Sequence, residues 1–220
     1  MSTSVRYTRD LSEAFFTRGA AMAQRLGANW LDLLGVMFVE SGIRAHQPNL
    51  LGSGAIGILQ FMPDTLVALG WTDGPEAFAR LTAEQQLVWV ERYLRPHRGK
   101  LDTLAGVYLA VWMPADLAHR HKQDFVLSAK GGRRGWAFDM NAGLDANGDL
   151  RITVGELEAA VRRGCVGARW REIARRAGAA ASSPRALPVD LTNTLGLQRA
   201  LLAAGFDPGP LDGIVGPRTV

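Results

Sequence analysis

Cysteine is almost absent from this chain of 220 residues, which contains only Cys165. A single thiol excludes an intramolecular disulfide framework. Long apolar runs are also absent, so no segment of the sequence could span a bilayer. The N-terminus carries Arg9, Asp10 and Glu13 where a signal peptide needs an unbroken apolar stretch. The sequence therefore predicts a globular protein that is made in the cytosol and does not insert into membranes.

Neither sign of charge dominates, since 25 Lys and Arg residues stand against 21 Asp and Glu residues, a net charge of +4. This small surplus favours an anionic partner, either nucleic acid or the acidic polymers of a bacterial envelope. No zinc-finger spacing or aromatic–basic interleaving accompanies it, so nucleic acid is not the predicted partner. The simplest interpretation of the surplus positive charge is a basic helix face that is exposed to solvent. The surplus arginines are Arg162, Arg163, Arg169, Arg171, Arg175 and Arg176.

Helix signals fill the first two-thirds of the chain, and no convincing alternating strand pattern interrupts them. Apolar residues at helical spacing, among them Leu11 and Phe15, predict a first helix that ends at Gly27. Two later helices are predicted near residues 153–163 and 169–176. The predicted helix starts in the first part are Thr8, Asn29, Pro63, Thr82 and Asp102. The predicted fold class is therefore mainly α.

Glu40 follows an apolar helical segment, residues 30–39. It comes three and four residues after Met37 and Val36, which places its carboxylate on an apolar stripe. Desolvation raises the pKa of a carboxylate, so that it holds a proton near neutral pH. General-acid cleavage of a glycosidic bond needs such a group. The alternative interpretation is a helix-terminal glutamate that is turned to solvent.

A glycine-rich segment follows, and we call residues 52–61 the glycine loop. Its glycines permit positive φ angles or close approach of the backbone to a ligand. Gln60 can donate and accept hydrogen bonds at once, which suits sugar hydroxyls and acetamides. Phe61 and the next residue, Met62, supply apolar surface for a ligand or for the core. The glycines are Gly52, Gly54 and Gly57.

Residues 40–65 contain E-S, a loop, and then G-A-x-G-x-x-Q-F-M-P-x-T. This pattern resembles the catalytic region of lytic transglycosylases of the soluble and phage-associated type, which share the goose-type lysozyme fold. Looser similarity continues in TLAGVYLAVWMP and NAGLDANGDLRITVGE. The resemblance implies that Glu40 is the sole catalytic carboxylate, with a tyrosine from a later helix beside it. It implies a sugar cleft that includes Ser41, Ser53, Gly54, Ala55, Gly57, Gln60, Phe61, Met62 and Tyr108.

The implied reaction cleaves the β-1,4 bond between N-acetylmuramic acid and N-acetylglucosamine in peptidoglycan glycan strands. It leaves 1,6-anhydro ends and needs no cofactor. One alternative is a goose-type lysozyme-like hydrolase, for which an inverting mechanism wants a second carboxylate about 6.5–9.5 Å from the first. Asp64 and Asp73 are the nearest candidates in sequence. A second alternative is a non-catalytic wall-binding or structural protein.

A second polar segment, DANGDLRITVGE, covers residues 145–156, and we call it the acidic loop. Its oxygen-bearing residues have the spacing of an EF-hand calcium loop, so a structural calcium ion is one interpretation. Leu150 departs from this pattern, because glycine normally provides the positive φ at its position. The alternative is a turn that caps the following helix. The calcium ligands would be Asp145, Asn147, Asp149, the Arg151 carbonyl, Thr153 and Glu156.

The C-terminal part contains LQ, LxxxGF and PGPLDGxxGPxT, a pattern similar to the first half of a peptidoglycan-binding repeat of the three-helix type. The predicted organisation is a lysozyme-like catalytic domain at residues 1–176, a linker at 177–189 and an incomplete wall-binding module at 190–220. Without a signal peptide, delivery to the wall is expected by a phage holin, a virion or a secretion system. The sequence identifies neither that route nor an immunity or delivery partner.

Overall fold

The computed structural model describes residues 11–46 and 54–182, which form a mainly helical structure. In chain order, six α-helices are followed by the two strands of a small sheet, which flank a seventh α-helix, and then by the last two α-helices. Short 3₁₀ helices connect several of these elements at Arg95–His97, Pro114–His119 and Ala142–Leu144. The α-helices and strands of the described residues are α1 (Glu13–Leu26), α2 (Trp30–Ser41), α3 (Pro63–Ala68), α4 (Gly74–Ala79), α5 (Ala83–Leu94), α6 (Leu104–Trp112), β1 (Val126–Ala129), α7 (Gly135–Met140), β2 (Arg151–Thr153), α8 (Val154–Gly164) and α9 (Gly167–Ser182).

Helix α1 begins later than predicted, at Glu13 rather than after Thr8, which lies outside the described residues. The Ser12 side chain accepts a hydrogen bond from the Phe15 amide and so satisfies one of the open donors of the first turn. The predicted end is confirmed, because Gly27 adopts a left-handed φ of 69° and closes the helix.

Helix α2 is the buried centre of the described structure, as its apolar sequence predicted. It contacts α1, α6, α8 and α9. Asn29 caps it by accepting a hydrogen bond from the Leu31 amide, and Gly42 ends it with a φ of 63°. Its central side chains lie in the core, among them Leu34, Val36 and Met37, each 0% exposed.

The other predicted helix starts are confirmed with one exception. Pro63 occupies the first turn of α3, and a capping box between Thr82 and Gln85 begins α5. Helix α6 is capped one residue later than predicted, since the Thr103 hydroxyl rather than Asp102 accepts the amide hydrogen bond, from Gly106.

The sheet is the element that sequence analysis missed. β1 and β2 pair antiparallel, with Ser128 opposite Ile152. Leu127 and Ile152 are both fully buried, so the hairpin contributes to the same core as the helices. A strand of three or four residues is too short to show the alternation from which strands are predicted.

Helix α9 extends past its predicted end at residue 176 and continues to Ser182. The first six residues assigned to the linker are therefore helical, and Ala177 is only 1% exposed. The Arg176 guanidinium pairs with Glu13 at 2.5 Å and lies over the Phe16 ring, so this basic residue packs α9 against α1. The rest of the predicted linker and the module at residues 190–220 lie outside the described residues. In the ranges that are described, every helix is too short or too polar to cross a membrane.

Candidate active site

Glu40 lies in the last turn of α2, with its side chain half-buried. Burial disfavours the charged form of the carboxyl group and raises its pKa from 4.5 to about 7. The predicted perturbation of this glutamate is therefore present, and the solvent-exposed alternative is wrong. A carboxyl group with this pKa can both donate and accept a proton near neutral pH.

Tyr108, on α6, lies beside Glu40 and hydrogen-bonds to its carboxyl group. The hydroxyl donates to the carboxylate, which lowers the Glu40 pKa and opposes part of the effect of burial. Burial raises the pKa of Tyr108, and the Glu40 charge raises it further, so this phenol remains a donor. The structure thus brings together the two residues that the resemblance had paired.

Tyr93, on α5, is a neighbour of Glu40 that sequence analysis missed. Burial raises the pKa of Tyr93 and the Glu40 charge adds to this effect. Its hydroxyl donates to the carbonyl oxygens of Ala110 and Val111 near the end of α6, at 3.3 Å each. The ring packs edge-on against Phe61, with centroids 5.8 Å apart. Tyr93 therefore joins α5, α6 and the glycine loop around the carboxyl group.

The described part of the glycine loop, residues 54–61, forms a tight hairpin. Ile56 and Phe61 exchange two backbone hydrogen bonds of 2.9 and 2.8 Å. Gly54 and Gly57 adopt φ angles of 79° and 84°, as predicted from their lack of a side chain. Gln60 also has a positive φ, 52°, and its side-chain amide donates to the Gly57 carbonyl at 3.1 Å.

Ser41 connects helix α2 to this hairpin. Its hydroxyl donates to the Ile58 carbonyl at 2.9 Å, and the side chain is 7% exposed. Contact of Ser41 with a sugar stays a prediction, since the structure shows its hydroxyl bonded inside the protein. Its role in the structure is to hold the glycine loop against the helix that carries Glu40.

The other predicted cleft residues divide into buried and exposed groups. Ala55 and Phe61 are 5% and 3% exposed, and Phe61 packs edge-on against Phe78, so both belong to the core rather than to a ligand surface. Met62 is 46% exposed and available to a ligand. Ser53 lies outside the described residues.

The acidic loop is held by its own side chains. Asp145 accepts hydrogen bonds from the Gly148 and Leu150 amides at 2.8 and 2.9 Å. Asn147 and Asp149 each accept from an amide two residues later. Leu150 adopts the positive φ that its position predicted, 66°.

Glu156 ends the acidic loop by capping α8. Its carboxylate accepts from the Ala146 amide at 3.1 Å and from the Thr153 amide at 3.0 Å, and Thr153 and Glu156 form a capping box. The predicted helix-capping turn is confirmed. Within residues 11–46 and 54–182, no three acidic, histidine or cysteine side chains are grouped to hold a metal ion. Calcium binding by the acidic loop stays a prediction.

The two carboxylates considered for a hydrolase, Asp64 and Asp73, are both exposed. Neither contributes to the shift in the Glu40 pKa, which arises from burial and Tyr108. Neither aspartate is therefore supported as a second carboxyl group acting with Glu40.

No protein-family model, curated protein or solved structure matches this chain. A function for the site must therefore be argued from its chemistry and from the resemblance of residues 40–65.

Proposed function

We propose that the protein is a lytic transglycosylase with a lysozyme-like fold, which cleaves the β-1,4 bond between N-acetylmuramic acid and N-acetylglucosamine. The observation that carries this proposal is the half-buried carboxyl group of Glu40, whose pKa is raised to about 7. Tyr108 and the glycine loop beside it supply hydrogen-bonding groups and backbone suited to a sugar chain. Peptidoglycan glycan strands are the proposed substrate.

The first step uses Glu40 as an acid. The protonated carboxyl group donates its proton to the oxygen that links the two sugars, and the bond between this oxygen and C1 of the muramic acid breaks. The substrate's own acetamido group assists at C1, so no protein nucleophile is required. Tyr108 donates its hydrogen bond to the carboxylate that remains and stabilises it.

The second step uses the same carboxylate as a base. It accepts the proton of the muramoyl 6-hydroxyl while this oxygen bonds to C1, displaces the acetamido oxygen that assisted there, and closes the 1,6-anhydro ring. One proton has then moved from the 6-hydroxyl to the leaving sugar, and no water is consumed. A group that acts in both directions works best when its pKa lies near the working pH, as that of Glu40 does.

The decisive experiment is mass spectrometry of soluble products from purified peptidoglycan digested with the full chain. We expect muropeptides with 1,6-anhydro ends, one water lighter than hydrolysis products. Reducing muramic acid ends would instead establish a hydrolase. Absence of soluble product would favour the non-catalytic wall-binding alternative.

The Glu40→Gln variant should lose product formation by about 1,000-fold, because the amide can neither donate nor accept the proton. Asp32→Asn is the matched control, since Asp32 lies on the same helix and burial also raises its pKa, while its charged neighbours are Arg162 and Glu158. The control should retain activity. Substantial activity of a folded Glu40→Gln variant would overturn the assignment.

A further inference from the structure

Gln86 is a polar residue on α5 that is completely buried, with 0% exposure. Burying an amide is costly unless both its oxygen and its nitrogen find hydrogen-bond partners. An apolar residue of the same size would avoid this cost. The hydrogen bonds of a buried glutamine are therefore expected to have a structural role.

The side chain of Gln86 joins three separate segments. Its oxygen accepts a hydrogen bond from the Ile58 amide of the glycine loop at 2.8 Å. Its nitrogen donates to the Ala45 carbonyl, just after α2, at 2.9 Å, and to the Phe78 carbonyl of α4 at 3.2 Å. One side chain thus fixes the loop relative to the chain on both sides of it.

The glycine loop is shaped to meet this amide. A β-carbon added to Gly57 would lie 2.6 Å from the Gln86 oxygen and 2.8 Å from the Phe78 ring. Only glycine fits at this distance, since real β-carbons do not approach other atoms so closely. The positive φ of Gly57 adds a second reason for glycine.

Both backbone polar groups of Ile58 are held by side chains from outside the loop. Gln86 binds its amide, and the hydroxyl of Ser41 binds its carbonyl at 2.9 Å. Ser41 is the residue next to Glu40, and Gln60 is the second residue after Ile58. The position of Gln60 relative to Glu40 is therefore linked to the two hydrogen bonds that hold Ile58.

We propose that Gln86 is a positioning residue, which fixes the glycine loop in the register that aligns its sugar-contacting groups with Glu40. This inference rests on the proposed function for its catalytic consequence, and on the hydrogen bonds alone for its structural consequence. Gln86 does not touch substrate in this scheme, and its effect passes through Ile58.

The structural consequence is tested by amide hydrogen exchange in the full chain. The Gln86→Met variant keeps the length of the side chain and loses its hydrogen bonds. The Ile58 amide loses its acceptor in this variant, so its protection factor against hydrogen exchange should fall. We expect this fall to be at least about tenfold larger than the fall for core amides in α2. Unchanged protection of Ile58 would overturn the proposal, whatever the activity of the wild type.

The catalytic consequence is tested by kinetics on soluble peptidoglycan fragments, below the melting temperature of every variant. A displacement of about 1 Å can cost about 100-fold in rate, so we expect a loss of this size in kcat/KM for Gln86→Met. The pH at which activity is half-maximal should not change, because Glu40 keeps its burial and Tyr108. A shifted pH profile or full activity would contradict the proposal.

Asp116→Asn is the matched control for lost stability. Asp116 is 3% exposed and pairs with Arg133 at 2.7 Å and with Arg134, both beyond β1 and away from the glycine loop. This variant should melt earlier and keep wild-type kcat/KM. An equal loss of activity in the control would show that general destabilisation explains the result for Gln86.

The Gln86→Glu variant gives a second measurement if Gln86→Met does not fold. A protonated carboxyl group can still accept from Ile58 and donate to Ala45, whereas the ionised form would face carbonyl oxygens. We expect near-normal protection of the Ile58 amide at acidic pH, where the protonated carboxyl group can make both bonds. Loss of Ile58 protection in Gln86→Glu at acidic pH would count against the proposal.

Discussion

The glycine loop and the acidic loop both contain tight turns, but hydrogen bonds from different parts of the chain stabilise them. Each contains a tight turn with one non-glycine residue at positive φ, Gln60 at 52° and Leu150 at 66°. Buried side chains from outside the loop, Gln86 and Ser41, hold the glycine loop, whereas residues 145–150 of the acidic loop are held largely by side chains of the loop itself. The glycine loop is thereby tied to the helix that carries Glu40, whereas the acidic loop reaches the core at Ile152, after this turn.

The largest expected difference comes from adding one methyl group to a glycine in each loop. Gly57 and Gly148 both have positive φ, but a β-carbon at Gly148 would meet nothing within 4 Å. Gly57→Ala should lower the free energy of unfolding by about 3–4 kcal/mol, because strain and a clash combine. Gly148→Ala should cost about 1–2 kcal/mol.

Denaturant unfolding of the two alanine variants measures this difference, and peptidoglycan digestion at a temperature where both are folded measures its effect on function. Gly57→Ala should lose most activity and Gly148→Ala should keep it. Equal effects of the two substitutions on the free energy of unfolding and on activity would contradict the proposed difference between the loops.

A comparable effect on stability is expected from the charge of Glu40. Its pKa is raised from 4.5 to about 7 on folding, so the native state holds the proton more tightly than the unfolded chain. This contribution is fully present below pH 4.5 and is lost as the pH rises through 7. Glu40→Gln should therefore be more stable than the wild type at pH 8, by up to about 3 kcal/mol, and equally stable at pH 4.

Denaturant unfolding of both proteins at several pH values checks this prediction. Glu156→Gln is the informative comparison, because the Glu156 carboxylate accepts hydrogen bonds from two backbone amides. Its substitution should lower stability at pH 8. Parallel curves for the wild type and Glu40→Gln would show that the carboxyl group is not desolvated.

A smaller effect is expected from Tyr108→Phe. The hydroxyl lowers the Glu40 pKa through its hydrogen bond, so its removal should raise that pKa further. The alkaline limb of the pH–activity profile should move to higher pH, since Glu40 must be protonated in the first step. The rate at the optimum should fall about tenfold, the value of one hydrogen bond to a charged group. A limb that moves to lower pH would contradict the assigned direction of the bond.

The smallest effect is expected from relieving the positive φ at the two non-glycine positions. Leu150 is 50% exposed, so Leu150→Gly should raise the free energy of unfolding by about 1 kcal/mol, with unchanged activity. Gln60→Gly relieves similar strain but removes a proposed sugar contact, so its activity should fall. Equal activity of these two variants would remove Gln60 from the site.

Calcium binding is tested with the same Leu150→Gly variant, which restores the expected glycine of a calcium loop. If the acidic loop can take calcium, millimolar calcium should raise the melting temperature of this variant by about 2–4 °C and that of the wild type by less. A cation must compete with the capping box for Glu156. Melts of both proteins that do not respond to calcium or chelator would leave the turn as the only role of the loop.

Local features of the site could be predicted from the sequence, and features that depend on distant contacts could not. Burial of Glu40 follows from its own helix, and the positive φ of Gly54 and Gly57 follows from their residue type. Tyr93 and Gln86 could not be assigned, because each gains its role from α6 or the glycine loop. The sequence signal for Gln86 is an amide on the apolar face of a helix.

The same distinction explains the errors in the fold. Helix caps were predicted to within one residue at Asn29, Thr82 and Thr103, since capping depends on neighbouring residues. The sheet of β1 and β2 pairs segments on either side of α7. Its short strands therefore depend on pairing that the local sequence does not show.

Helix α9 carries a practical consequence for dividing this protein into parts. The buried residue Ala177 and the pairing of Arg176 with Glu13 lie at the boundary that the sequence predicted for the catalytic part. A chain shortened to residue 176 would expose the end of this helix and the α1 surface beneath it. A chain that extends to Ser182 would preserve both, so that is where a stable fragment for crystallisation or isotope labelling should be cut.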